Sequence, residues 1–142
     1  MNYPDLECPI LGILHYDVTN DWYKGQLKIQ QSEVTIYFSM DEERKLESAQ
    51  NRFVDVMSDL KNHLQQAKEY AVESLLAVKN EIDENRPPLT PQQFKDRMVL
   101  QFISIEPDGS VSFYYPDDNL FAGHFYVMMD SVNNFVDADI PH

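Results

Sequence analysis

The chain predicts an α+β fold: an antiparallel sheet, built from an N-terminal meander and C-terminal hairpin strands, with two main helices and one short helix packed on one face. Three observations carry this reading. Residues 10–40 alternate apolar and polar side chains with period two, residues 41–85 repeat apolar side chains every three or four, and residues 99–129 hold apolar runs around an Asp-Gly turn. Strands, then helices, then strands is the segregated order of α+β architecture, in which helices cover one face of an antiparallel sheet.

The first strand runs over 10–18 and ends at Thr19-Asn20-Asp21. Lys24, Gln26, Lys28 and Gln30 then alternate with Gly25, Leu27 and Ile29; Glu33, Thr35, Tyr37 and Ser39 alternate with Val34, Ile36, Phe38 and Met40. Alternation places one set in the core and the other in water. The short polar link Gln30-Gln31-Ser32 makes the pair a hairpin. Ser39 with Glu42 fits a capping box, and Asp41, Glu42 and Glu43 suit the first turn of a helix. The apolar stripe that follows includes Leu46, Ala49, Phe53, Val56, Leu60, Leu64, Ala67, Ala71, Leu75, Val78 and Ile82. Unbroken, it would make a rod of roughly 65 Å, against a radius of gyration of about 14–15 Å for a domain of this length. A break near Ser58 to Asn62 is therefore expected.

Asn85-Arg86-Pro87-Pro88 ends the helical region, and Thr90-Pro91-Gln92-Gln93 restarts it: Thr90 caps, Pro91 opens and Gln93 completes a box. This short helix ends near Arg97. Strands at 99–106 and 111–115 flank Pro107-Asp108-Gly109-Ser110, a hairpin signal. A strand at 124–129 and a short edge strand at 135–140 complete a single α+β domain over residues 1–142.

The 142 residues are 43% hydrophobic and 12% aromatic, enough to bury a core, and carry 24 acidic against 11 basic side chains, net −13. Such charge repels phosphate backbones and anionic lipid, so the partners expected are not nucleic acid or membrane but a basic protein or a cation. From Met98 onward there are seven acids and no Lys or Arg. Cys8 is the only cysteine, which excludes an internal disulfide and a cysteine zinc site. The first nine residues lack the features of a signal peptide, no apolar run approaches about 20 residues, and the cytoplasm is the expected compartment.

Three stretches resemble a known group. They are Leu11-Gly12, Tyr16-Asp17 and Asp21-Trp22-Tyr23 with Gly25; Ala67-Lys68-Glu69-Tyr70-Ala71, Leu75-Leu76 and Lys79-Asn80; and Leu89-Thr90-Pro91, Phe94, Pro107-Asp108-Gly109-Ser110, Leu120-Phe121, Gly123-His124 and Asp137-Ala138-Asp139-Ile140. In this order they are similar to an uncharacterised bacterial group, the domain-of-unknown-function family 2262. The resemblance implies a bacterial cytoplasmic protein of small α+β build and brings no reaction and no catalytic residues. Small acidic bacterial proteins of this build often act as immunity proteins, which is analogy at the level of fold.

Candidate chemistry is sparse. His15 and Asp17 would share a strand face, as an acid–base pair requires, and equally fit a surface His near a surface Asp. His124 with Asp130, Asp137 and Asp139 offers ligands for a divalent metal, although the spacing matches no helical pair and no EF-hand loop. On an edge strand, Asp137 and Asp139 would deter strand addition. Trp22 fits the core better than a partner surface, and of Tyr114 and Tyr115 one points in and one out. Glu47, Asp55, Asp59, Glu69 and Glu73, with Arg52, Lys61 and Lys68, read as a solvated helix face. With no phosphate loop, G-x-S-x-G or H-E-x-x-H, nothing implies a cofactor or names a catalytic residue.

A non-catalytic acidic protein-binding module follows, in one form an immunity-type inhibitor of a basic toxin. Its binding residues would be Asp108, Asp117, Asp118, Asp137 and Asp139, with Tyr114 as anchor, gathered in one solvent-facing patch without cations. The alternatives are a small metal-dependent enzyme using His124 and the C-terminal Asp residues, and a homodimer joined through the stripe from Leu46 to Ile82.

Overall fold

A sheet in chain order is the frame of the molecule. The computed structural model describes residues 3–82, 87–116 and 124–139. Among them the strands are β1 (Leu6–Cys8), β2 (Gly12–Asp17), β3 (Trp22–Ile29), β4 (Ser32–Phe38), β5 (Phe102–Ile105), β6 (Val111–Tyr115), β7 (Phe125–Met129) and β8 (Phe135–Asp139), each beside its neighbour in the chain. The α+β arrangement is as the sequence predicts, with one departure in pairing. β4 and β5 are parallel; every other pair is antiparallel. A parallel pair needs a crossover, and the helices α1 (Glu47–Met57), α2 (Leu60–Ile82) and α3 (Pro91–Asp96) supply it.

The turns follow local chemistry. Gln30 and Gln31 link β3 to β4 with φ of 52° and 69°, the left-handed pair that suits the twist of a two-residue hairpin. Gly109, at φ 97°, turns β5 into β6. The helical break falls at Ser58-Asp59, where the Ser58 hydroxyl donates to the Asp55 carbonyl at 2.6 Å. Thr90 and Gln93 form the reciprocal box expected of them.

The start of α1 differs from expectation. Ser39 does not cap a helix; the chain turns first, and α1 begins at Glu47 without a side-chain cap. The Asp41 carboxylate accepts the backbone N–H groups of Glu43 and Lys45, both at 2.9 Å, and Arg44 takes φ 64°. A short acceptor beside its own backbone competes with the helix for the same donors.

The helical stripe is occupied internally. Phe53 meets Phe38 edge-on at 5.4 Å, and Ala67 and Ala71, fully buried, let α2 approach β7 and β8. Those residues face the sheet. At the end of α2 the buried row runs 67, 71, 75, 79, so Lys79 is buried and Val78 exposed. The long lysine stem covers apolar surface there. No helix among the described residues is long and apolar enough to cross a membrane.

Strand β1, too short to register as alternation, pairs with β2, and the segment before it is tied to the β2–β3 turn by an ion-pair cluster. Arg44 donates to both carboxylate oxygens of Asp21 and, at 3.0 Å, to the Tyr3 hydroxyl, while Tyr16 donates to Asp21 at 2.6 Å. Arg44, and then Tyr16, hold the Asp21 carboxyl down to about 2 from an ordinary 3.8. The folded state therefore binds this proton less readily than the unfolded chain, and the tie stabilises fully above the ordinary value. The stability difference between the native chain and Asp21→Asn should be greatest above about pH 4 and shrink as pH falls toward 2. Denaturant titrations across that range check it; a constant difference would remove the tie from the account.

Candidate functional site

One face of the sheet meets the helices, and the other presents a row of rings. Cross-strand partners share a face, and the registers Asp17↔Trp22, Thr35↔Phe102, Phe102↔Tyr114 and Tyr114↔Tyr126 put these side chains opposite the core. Trp22 stacks on Tyr37 at 4.2 Å, Tyr37 meets Phe102 edge-on at 5.3 Å, Phe102 stacks on Tyr114 at 4.3 Å, and Tyr126 lies 5.8 Å from Tyr114. The row crosses five strands, β3 to β7. Its rings are half-buried, and the aromatic contacts of α1 and α3 go to Phe38 and Phe125 on the core side.

The two halves of this face differ in charge. On the β2–β4 half, Asp17 accepts from the Trp22 indole at 3.2 Å and the Asn20 amide at 3.0 Å, with the Lys24 ammonium 3.9 Å away. The Asn20 side chain, then Trp22 and Lys24, keep the Asp17 carboxyl below its usual range. The β5–β8 strands contribute no Lys or Arg to their half, since none follows Arg97. There Asp137 accepts from the Tyr126 hydroxyl at 3.0 Å, and Asp139 lies across from Tyr126. Burial, and then that bond, push the Tyr126 phenol up to about 12, so it stays a donor at neutral pH.

The expected site residues divide accordingly. Tyr114, Asp137 and Asp139 share the open face, and His124, exposed, lies beside them with its ring 6.1 Å from Tyr114. Asp108 does not join them: it sits in the β5–β6 turn and accepts its own turn's Ser110 N–H at 2.9 Å. Asp117 and Asp118 lie outside the described residues. Among the described residues, the C-terminal carboxylates therefore do not form one patch. Those in the turns at one end of the sheet satisfy backbone donors, and those on β8 face the open side.

Of the proposed metal ligands, Asp130 lies apart from the others. His124 precedes β7 and Asp130 follows it, so about 20 Å of extended chain separates them. Asp130 accepts the Asn134 and Val132 N–H groups at 2.9 and 3.0 Å; these bonds, Asn134 first, hold its carboxyl below the usual range. No three His, Cys, Asp or Glu side chains converge among the described residues. His15 shares a face with Asp17 as expected, yet its ring pairs with Asp5 at 3.1 Å. Cys8 is buried, and desolvation raises its thiol.

Sequence reasoning missed the row itself. Trp22, expected in the core, lies on the open face, and Tyr23 is buried in its place. The available signal was parity: Tyr37 already alternates with the polar set of β4. Arg52, expected on a solvated helix face, is buried; it donates to the carbonyls of Gly109 and Asp130.

Compared with known proteins, residues 9–140 match one family model, described as an uncharacterised protein conserved in bacteria. No curated protein and no solved structure matches the chain.

Proposed function

The chain belongs to DUF2262, a family of uncharacterised bacterial proteins, and on that premise we propose that it is a non-catalytic, acidic protein-binding module receiving a basic segment of a partner on its open sheet face. The observation that carries the reading is the half of that face whose strands bring no Lys or Arg, where Phe102, Tyr114 and Tyr126 lie beside Asp137 and Asp139. Ring faces attract guanidinium and ammonium groups, and carboxylates add charge-assisted hydrogen bonds. A net charge of −13 steers a basic partner toward the molecule.

An exposed aromatic row on a sheet also suits the stacking of nucleobases. Charge decides against it: nucleic-acid binding draws on Lys and Arg at phosphates, and the strands of this half supply none. An immunity-type inhibitor of a basic toxin is the specific form the proposal takes, by analogy of build and charge.

The test uses the native chain and the variants Tyr114→Ala and Asp137→Asn/Asp139→Asn as baits in lysate of the source bacterium. A basic protein, identified by mass spectrometry, should be retained by the native bait at low salt, released at high salt, and lost from both variants. Identical profiles for native and variant baits would overturn the proposal.

A further inference from the structure

We propose that the N-terminal strap, residues 3–8, is exchanged between two copies of this chain, with Pro9-Ile10-Leu11 as the hinge. The inference is independent of the open-face reading and concerns the β1 edge of the sheet.

The hinge is the first observation. Three residues separate Cys8 from Gly12, its register partner across the β1–β2 pair. The Leu11 N–H donates to the Pro9 carbonyl at 2.9 Å, closing a three-residue turn around Ile10, whose φ is 75°. That is the rare, strained form of γ-turn, and a β-branched side chain makes positive φ a marked outlier. The same residues favour an extended chain. Pro9 holds its φ at about −65° and turns Cys8 toward extended backbone, and isoleucine prefers strands. Closing the hinge therefore stores strain that extending it releases, and a short hinge under strain invites exchange.

The contacts of the strap are the second observation, because all of them reach residues beyond the hinge. Arg44 donates to the Tyr3 hydroxyl at 3.0 Å, the Tyr23 hydroxyl to the Pro4 carbonyl at 2.7 Å and the Gln50 amide to the Glu7 carbonyl at 3.3 Å, while His15 pairs with Asp5 at 3.1 Å. Leu6, Glu7 and Cys8 align with Leu14, Ile13 and Gly12. A strap from a second copy finds this same set, so exchange remakes these contacts and gives up only the turn.

The hinge also leaves apolar surface in water: Ile10 is 57% exposed and Ile13 47%. With both hinges extended the two copies run side by side there, and these side chains cover one another. Opposing the pair is the net charge of −13 on each copy, a repulsion that salt screens. The single copy is thus favoured when dilute at low salt, and the exchanged pair when concentrated at high salt.

Light scattering on the full chain, at rising concentration in high salt, reads the pair, and a mixed disulfide identifies the strap as its cause. One chain carries Glu7→Cys and a second Ile13→Cys, both with Cys8→Ser. These two positions face each other in the register, so the chains are joined when the strap of one pairs with β2 of the other. Oxidation of the mixture should give a covalent pair holding one chain of each kind. Ile10→Gly, which accepts positive φ without strain, should weaken the native pair by about tenfold or more. Ile10→Pro, which cannot take positive φ, should be paired at concentrations where the native chain is single. Absence of the mixed disulfide overturns the exchange, whether or not scattering detects a pair. So does equal pairing of Ile10→Gly and the native chain, which decides the matter even if circular dichroism shows that Ile10→Pro fails to fold. A folded, single Ile10→Pro overturns it as well.

Discussion

Replacing Phe38 by alanine should cost about 4 kcal/mol of folding stability. Phe38 is fully buried at the end of β4. Its register partners are Tyr23 on the antiparallel side and Ile105 on the parallel side. Its ring meets Phe53 of α1 edge-on at 5.4 Å. The residue thus joins the meander, the parallel pair that closes the crossover, and the first helix. Alanine there would lose the transfer energy of the ring and leave a cavity that three elements cannot collapse to fill. Phe102 sits next to the same junction but on the open face, half-buried. Phe102→Ala should cost about 1–2 kcal/mol, because much of that ring is still wet. Urea unfolding followed by circular dichroism compares the two. Equal losses would mean that the core does not lie between sheet and helices as described.

What the sequence discloses is what is local. Thr90, Pro91 and Gln93 form their box within four residues, Asp108-Gly109 makes its turn, and Val34, Ile36 and Phe38 alternate inward because the strand has period two. What it conceals is pairing at a distance. Alternation assigns Tyr37, Phe102, Tyr114 and Tyr126 to faces without saying that their strands are adjacent. The aromatic row exists only once β4 has met β5 across a crossover of three helices. Ser39 misled because Asp41, two residues on, satisfies the competing turn. Among the acids, spacing could not tell Asp108 and Asp130, spent on their own turns, from Asp137 and Asp139, which face the open side. Spacing does not reveal that Asp108 reaches the Ser110 N–H or that Asp130 reaches those of Val132 and Asn134.

Arg52→Ala should also be strongly damaging, at about 3 kcal/mol. The guanidinium is 8% exposed and spends three donors on partners far apart in sequence: the Gly109 carbonyl at 2.8 Å, the Asp130 carbonyl at 2.9 Å and the Asp55 carboxylate at 2.7 Å. It reaches from α1 to the turns on both sides of the β6–β7 pair. Those turns touch: a Cβ built on Gly109 would lie 2.6 Å from that of Ser131. Truncation leaves two carbonyls without their donor. Asp55, by contrast, is 63% exposed, so Asp55→Ala should cost under about 1 kcal/mol, as exposed ion pairs do. Lysine cannot stand in, since one ammonium lacks the planar fork that serves three acceptors. Chemical denaturation ranks the variants, and hydrogen exchange at Gly109 and Asn133 reports whether the turns loosen. If Asp55→Ala matched Arg52→Ala, the ion pair and not the clamp on the carbonyls would be the stabilising contact. If the clamp holds, the frame that sets Tyr114 beside Tyr126 is tensioned from the helical layer, and weakening it should disorder the open face without touching any residue on it.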